Sequence, residues 1–321
     1  MSASEGEQTP SVIDARFAAI RHTYEVVERH VFSDYRPPDL SRAAGMIDLH
    51  VHAGPGRQDP LALGKHASLA GARAIVLKNP LLGDTVQMAK EARTALETWA
   101  EGAGVAPTRI VASHVLGAAR GGVSPAVVDR AVAQGAEVIW MPVLDATNHL
   151  RRAKGVEDPA AAGISVVEDG SLTRAAQDAV AACAAAGVAM SFGHVSRDEM
   201  FALADECVAL GYDRVFVDHP FSPVAGLTVS DIVELASAGV TCNFTYWELS
   251  PYCGVTATEM ATAIRTIGPE HVTMSSDAGM EIFPDSVECM RLHDAMLDLF
   301  GYEPDARAAM MHDNAARILG V

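Results

Sequence analysis

The chain has 321 residues, of which 49% are hydrophobic and 20% charged, so a large folded core is expected and disorder of the whole chain is excluded. Aspartate and glutamate number 41 against 24 lysines and arginines, which gives a formal net charge of −17. Binding to nucleic acid or to anionic lipid normally needs a basic surface, so this balance argues against both partners. No stretch of about 18 uncharged apolar residues occurs, so no membrane span is predicted.

The N-terminus and the cysteines indicate the compartment. The first residues have neither the basic start nor the apolar run of a secretory signal. The five cysteines lie far apart and form no CxxC pair, which is more typical of reduced thiols than of a disulfide framework. The sequence therefore predicts a cytoplasmic protein.

The N-terminal segment has its own pattern. Apolar residues at spacings of three and four predict a helix over about residues 12–31, and the two prolines of FSDYRPPDLS end it. We expect residues 1–45 to form a tail and helix that precede the main domain. This segment could cover the bottom of that domain or exchange with a neighbouring copy in a homo-oligomer.

From Met46 onward, short apolar runs alternate with longer helical patterns. Alternating strands and helices predict a parallel sheet, and eight such units predict an α/β fold of the (β/α)8 TIM-barrel type over residues 46–321. An open doubly wound sheet is the alternative. The one long connection, about 145–170, carries ISVVEDGSLT and is predicted to hold a short hairpin over the barrel mouth. The eight apolar runs are 46–51, 73–78, 109–114, 136–141, 188–193, 214–219, 240–244 and 271–276.

Ionisable side chains stand at the C-terminal ends of nearly all these strands, where (β/α)8 barrels place their chemistry. His50 and His52 are two residues apart, so they share a face and point into the barrel mouth, with Asp48 one layer deeper. Two imidazoles on one face suit a single metal ion, because a metal favours both neutral rings whereas two protons would repel each other. The other strand ends carry Lys78, His114, Asp145, His194, Asp218, His219 and Asp277.

Five of these residues form a candidate ligand set that converges on the barrel axis: His50, His52, His194, His219 and Asp277. Four imidazoles and a carboxylate make a borderline-soft site, which suits Zn²⁺, with Mn²⁺, Fe²⁺ or Ni²⁺ as alternatives. A single histidine at a strand end is more often a structural residue. The prediction of a divalent metal therefore depends on the whole set.

The strand pattern and these positions resemble the amidohydrolase superfamily over about residues 46–320. The matching motifs are HVH at 50–52, SFGHVS, VDHPF and SSDAG, and NAARILG resembles the short C-terminal helix of that superfamily. The resemblance implies that His50 and His52 bind the more buried metal, which Asp277 also ligates. It implies that His194 binds a metal, and that His219 binds a second metal or hydrogen-bonds the water or substrate.

The resemblance also implies an activity. A metal-bound water would cleave an amide, cyclic amide, lactone, ester or phosphoester of a small molecule. Asp277 would accept and return one proton, so Asp277 and His219 are the predicted catalytic side chains.

The chain departs from the superfamily at the fourth strand. Two-metal members usually place a carboxylated lysine or a glutamate there, but AEVIWMPVLD has neither at the strand end. Asp145 and His149 follow slightly later, and Asp145 is one candidate for the bridging ligand. Lys78, at the end of the second strand, is either a carboxylated bridging ligand or a charged substrate anchor. The number of metal ions, one or two, is therefore not decided by the sequence. A mononuclear metal-dependent decarboxylase or other lyase is the alternative activity. An inactive barrel and a deaminase are weaker alternatives.

Loops after the strands should set specificity. Arg57 could clamp a carboxylate or phosphate, and Asp145 could contact substrate. His114 is either a substrate contact or a core histidine. Tyr246 and Trp247 belong to an aromatic-rich loop that could wall an apolar pocket or pack against another element. No role is predicted for the histidines expected on helices or the surface, which include His66, His149, His271, His293 and His312.

Overall fold

The computed structural model describes residues 40–280 and 283–321, and the predicted N-terminal helix lies outside this part of the chain. Each of the eight predicted strands is present within two or three residues of its predicted bounds. The strands are β1 (Ile47–His52), β2 (Ala74–Lys78), β3 in two segments (Arg109–Val111 and Ser113–Val115), β4 (Val138–Trp140), β5 (Ala189–Ser191), β6 (Val215–Asp218), β7 (Thr241–Thr245) and β8 (Val272–Ser275).

The strands pair in parallel and in sequential order. β1, β2 and the first segment of β3 form one ladder, and the second segment of β3 continues it through β4 to β8. Two backbone bonds join the last strand to the first: Asp277 N donates to the His50 carbonyl at 2.9 Å, and His52 N donates to the Ala278 carbonyl at 2.7 Å. The predicted (β/α)8 fold is confirmed.

Helices follow the strands, as the alternating pattern predicts. Serine, threonine and aspartate caps begin several of them, and left-handed glycines such as Gly135 and Gly187 end them. The helices are α1 (Pro60–Leu69), α2 (Val86–Ala103), α3 (Pro125–Gln134), α4 (Thr147–Lys154), α5 (Pro159–Ala162), α6 (Arg174–Ala186), α7 (Arg197–Leu210), α8 (Val229–Ser237), α9 (Ala257–Ile267), α10 (Ser286–Leu299), α11 (Pro304–Ala308) and α12 (Asn314–Leu319).

The long connection after β4 contains more structure than its sequence suggested. The expected hairpin forms from Val167–Glu168 and Ser171–Leu172, which pair antiparallel. Two helices, α4 and α5, precede it in a stretch that showed no clear helical pattern. α4 matters for the site, because it carries His149.

Two buried apolar clusters form the core. The larger one fills the space between the strands and the surrounding helices. The smaller one fills the barrel interior, and α12 closes one end of it, because Ala315 and Ile318 belong to the same cluster as Ile47 and Leu49. Across the described residues, no helix combines the length and the apolar character needed to cross a membrane.

A bulge in β1 sets the direction of its side chains. Asp48 lies opposite Ile75 and Val51 opposite Leu77, so three residues of β1 advance against two of β2. Such a bulge reverses the alternation of side chains beyond it.

The bulge overturns the predicted position of Asp48. Leu49 belongs to the interior cluster, whereas the Asp48 carboxylate accepts a hydrogen bond from the Ser286 hydroxyl of α10 at 2.6 Å. Asp48 therefore does not lie beneath the two histidines, and the prediction was wrong because it assumed an unbroken alternation. His50 and His52 still share one site, as their ring nitrogens show below.

Candidate metal centre

His50, His52 and Asp277 bring three donor atoms together at the mouth of the barrel. The Nε2 atoms of His50 and His52 lie 3.3 Å apart. Asp277 Oδ1 lies 3.1 Å from the first and 3.0 Å from the second. The three residues form a potential site for a divalent metal.

The backbone around Asp277 is held in an unusual conformation. Asp277 has a φ of 51° and His219 a φ of 34°, a region that residues other than glycine rarely adopt. Gly279 has a φ of 117°, and a Cβ there would lie 1.9 Å from the His52 carbonyl oxygen. The SSDAG motif thus needs its glycine to bring β8 against β1. Strained residues such as Asp277 and His219 cluster at functional sites.

Asp218 orients the His50 ring from below. Its Oδ1 lies 3.3 Å from His50 Nδ1, and the carboxylate also accepts hydrogen bonds from Ser191 Oγ at 2.5 Å and Asn243 Nδ2 at 2.7 Å. Burial raises the pKa of Asp218, but His50 and Lys78 outweigh it and lower the value to about 2. Asp218 is therefore ionised, and His50 Nδ1 donates its proton to it.

The donor atoms are arranged to bind a cation rather than to hydrogen-bond to one another. Burial lowers the pKa of His50 to about 4, so its ring is neutral, and a proton on Nδ1 leaves a lone pair on Nε2. That lone pair faces Asp277 Oδ1 at 3.1 Å, so a cation between the two atoms would satisfy both. Separations of 3.0 to 3.3 Å match the edges, about 2.9 to 3.4 Å, of a coordination shell with 2.0–2.1 Å bonds.

A row of imidazoles continues from this triad across β6 and β5. The His219 ring lies 5.8 Å from that of His50, and the His194 ring lies 5.1 Å from that of His219. His219 Nδ1 is 3.0 Å from Ser222 Oγ, so its Nε2 is the atom that could bind an ion or substrate. Burial lowers the pKa of both His194 and His219, so both rings are neutral.

His149 ends this row, although no role was predicted for it. Its ring stacks on that of His194 at 4.9 Å, and the two Nδ1 atoms lie 2.9 Å apart. The side chain is buried, and its Nε2 has no hydrogen-bond partner among the described residues.

Lys78 and Trp140 lie under the row of histidines. Lys78 is 1% exposed, and its Nζ lies 4.1 Å from the centre of the Trp140 ring. Burial lowers the pKa of Lys78, while Asp218 and Asp277 act in the opposite direction. Trp140 fills the end of β4, where the sequence showed no lysine or glutamate, and its ring lies 5.1 Å from that of His50.

The predicted substrate contacts are dispersed around the mouth. Arg57 lines a surface cleft with Arg120 and donates to the Gly56 carbonyl. Asp145 accepts a hydrogen bond from Ala118 N at 2.6 Å. His114 is buried, and neither of its ring nitrogens has a partner among the described residues.

The aromatic loop after β7 divides between two neighbourhoods. Trp247 meets the His219 ring edge-on at 6.0 Å, so it borders the metal centre. Tyr246 instead packs against the buried ring of His293 at 5.7 Å. Of the two aromatic residues, Trp247 is the one that adjoins the row of histidines that includes His219.

Sequence reasoning missed the residues that support the ligands. Asp218 was visible beside His219 at a strand end, but Ser191 and Asn243 resemble ordinary barrel filling. His149 was visible shortly after the fourth strand, but no role was predicted for it, because the segment around it lacked a helical pattern. Only a fold that brings β4 and β5 together makes it a neighbour of His194.

The chain is similar to known proteins in sequence and in fold. The sequence model of one family, described as a family of unknown function (DUF6282), matches residues 45–243, more than half of the chain. No curated protein matches the sequence.

Several solved structures share the fold. An amidohydrolase from Pseudomonas aeruginosa has a TM-score of 0.61 at 13% identity, with 89% of this chain and 98% of that chain covered. An organophosphorus hydrolase from Deinococcus radiodurans has a TM-score of 0.54 at 16% identity, covering 87% and 94%. An amidohydrolase from Burkholderia multivorans has a TM-score of 0.52 at 14% identity, covering 87% and 100%. The resemblance to amidohydrolase barrels is confirmed at the level of fold.

Proposed function

This chain belongs to the DUF6282 family, whose function is unknown, so we propose its activity from the chemistry of the site. We infer that it is a metal-dependent hydrolase of a small molecule, with an amide, cyclic amide, lactone, ester or phosphoester as the bond cleaved. The observation that carries the proposal is the close approach of His50 Nε2, His52 Nε2 and Asp277 Oδ1.

These three residues would hold the ion, and zinc is the ion that nitrogen and carboxylate donors at this spacing favour. When bound, a divalent cation lowers the pKa of water toward neutrality and polarises a substrate oxygen. Asp218 fixes the tautomer of His50 by accepting its Nδ1 proton, as carboxylates behind metal-binding histidines commonly do.

Asp277 has a second role in the proposal. Its Oδ1 faces the two imidazoles, so Oδ2 is the atom that takes a proton from water and returns it to the leaving group. His219 Nε2 would hydrogen-bond the water or the substrate, or bind a second ion with His194, because its Nδ1 is engaged by Ser222. Lys78 would bridge two ions after carboxylation or remain a buried cation that attracts an anionic substrate.

Specificity would come from the mouth. Trp247 beside His219 offers an apolar wall, whereas Arg57 and His114 offer polar contacts on the side of β1 and β3. Asp145 and Tyr246 complete the set of proposed substrate contacts. All five cysteines are free thiols, which favours a reducing cytoplasm as the compartment.

The test is an Asp277→Asn variant assayed on chromogenic amides, lactones, esters and phosphoesters. Loss of the proton acceptor should lower kcat by at least about 10³-fold while the metal content measured by mass spectrometry stays within half an ion. Asp198→Asn is the matched control, because that carboxylate is exposed on α7. Full activity in Asp277→Asn would refute the proposal.

A single-ion decarboxylase is the competing candidate, and the observation that favours it is Trp140 in place of a ligand at the end of β4. Release of carbon dioxide from carboxylated aromatic acids distinguishes the two reactions. Turnover of those acids together with inactivity on every hydrolase substrate would favour the lyase.

A further inference from the structure

β4 contributes no ligand, but the segment after it contributes a buried imidazole. His149 lies in the first turn of α4 and is 7% exposed. Asn148 fixes that turn to the loops after β5 and β6: its Nδ2 lies 3.0 to 3.2 Å from the carbonyl oxygens of His194, Val195 and Val224, to which it donates. His149 and His194 are therefore held in a fixed relation by a side chain that lies outside the pair.

The contact between the two rings is unusually direct. Their Nδ1 atoms lie 2.9 Å apart, and the rings are nearly parallel, at 21°. Two lone pairs cannot face each other at this distance without a proton or a cation between them. A proton on either Nδ1 gives an N–H···N bond, but whichever ring carries it, the buried Nε2 of His149 has no hydrogen-bond partner among the described residues.

The next imidazole in the row lies beside His194. The His219 ring lies 5.1 Å from that of His194, and its Nδ1 is engaged by Ser222 Oγ. The Nε2 of His219 is thereby left for another ligand. Imidazole nitrogens such as those of His149 and His194 are donors that zinc and related ions take.

We propose that His149 is a metal ligand, which holds a second divalent cation together with His194 and supplies from α4 the ligand that β4 lacks. This inference rests on the proposed function, since it extends the same metal centre. It makes the centre a two-ion site in which the first ion belongs to His50, His52 and Asp277.

The experiment measures metal stoichiometry rather than activity. Full-length protein is loaded with Zn²⁺ or Co²⁺, dialysed, and measured by inductively coupled plasma mass spectrometry, and the visible absorption of the cobalt form is titrated. The variants are His149→Ala, His149→Gln and His194→Ala. His66→Ala is the control, because His66 pairs with Asp285 on the outside of the barrel.

The proposal expects two ions per chain in the unmodified protein and one in each His149 variant, with the dissociation constant of the second ion raised at least about 100-fold. His66→Ala should keep two. His149→Gln conserves much of the side-chain volume, so a folded His149→Gln, verified by circular dichroism, keeps the test valid if His149→Ala fails to fold.

Two results would overturn the inference. One is a His149→Gln protein that retains two ions with unchanged affinity. The other is an unmodified protein that binds a single ion, removed by His52→Ala and unaffected by His149→Gln, which would leave the proposed function standing. An unmodified protein that binds no ion would defeat both proposals.

Discussion

The interior of the barrel differs between its two halves. The half formed by β1–β4 is mostly apolar below the mouth, with Leu49, Val76, Val111 and Val138 in one cluster. The half formed by β5–β8 is mostly polar at the same depth, and its side chains bond to one another. They are Ser191, Asp218, Asn243, Thr273 and Ser275.

Side chains of the polar half position His50, which belongs to the apolar half. Asn243 stands at its centre: its Nδ2 donates to Asp218, and its Oδ1 accepts from Thr273 Oγ1 at 2.9 Å and Ser275 Oγ at 2.7 Å. Asp218 then reaches across the barrel to His50 of β1. A fully satisfied buried network is rigid, and rigidity at this depth fixes the ligand above it.

The contrast gives each half a distinct role. Apolar packing in β1–β4 stabilises the fold, whereas we propose that hydrogen bonds in β5–β8 also set the affinity for the metal. Substitutions in the polar half should therefore change metal affinity as well as stability, whereas substitutions in the apolar half should change stability alone.

Asn243→Ala removes the centre of the polar network. It leaves Asp218, Thr273 and Ser275 each short of a partner, and each such loss costs about 1–3 kcal/mol. The free energy of unfolding, measured with urea, should fall by at least about 3 kcal/mol, and the affinity for the first ion should fall with it. Unchanged affinity would break the proposed link between the network and the metal.

His293→Gln tests a buried histidine that borders the polar half. Burial lowers its pKa to about 4, and its Nε2 lies 3.1 Å from the Ser275 carbonyl. Below pH 6.5 this histidine is protonated in the unfolded chain but stays neutral in the folded chain. The free energy of unfolding therefore decreases as the pH is lowered, and at pH 4 it is about 3 kcal/mol smaller than at neutral pH. Other buried histidines contribute in the same way, so urea unfolding of metal-free protein from pH 7 to 4 should show a shallower slope in the variant, by the contribution of His293. Parallel pH profiles for the two proteins would contradict the expectation.

Asp218→Asn keeps the shape of the support but removes its charge. Metal affinity should fall about 10–100-fold, as it does when carboxylates behind metal-binding histidines are changed. A chelator-competition titration measures this constant. The exposed Asp198→Asn should bind metal normally, and equal affinities for both variants would show that Asp218 plays no part.

Val111→Ala in the apolar half should lower the free energy of unfolding by about 1–2 kcal/mol, through lost burial alone. Its metal affinity should stay within about twofold of the unmodified protein, because Val111 belongs to no hydrogen-bond network. A large loss of affinity here would erase the distinction between the halves.

Much of the fold was predictable because its signals are local. Apolar runs and intervening helical patterns placed all eight strands, and the glycines that end the helices fixed their boundaries. The bulge at Leu49 and His50 was not predictable, because it depends on the register between β1 and β2. A one-residue slip there reversed the expected direction of Asp48.

The candidate site divides in the same way. Strand-end residues such as His52 and Asp277 could be found by position, because a parallel barrel brings all strand ends to one face. His149 and Asn243 could not, since their roles depend on neighbours that are distant in sequence and on a helix with weak local preference. Polar residues inside the barrel have the same sequence appearance whether they fill space or orient a ligand.

The central claim is that His50, His52 and Asp277 hold a divalent cation. The most direct measurement is an anomalous difference map, collected at the zinc absorption edge from crystals grown with Zn²⁺. We expect a strong peak about 2.0–2.2 Å from His50 Nε2, His52 Nε2 and Asp277 Oδ1. A map with no peak between these three atoms would contradict the presence of a cation there.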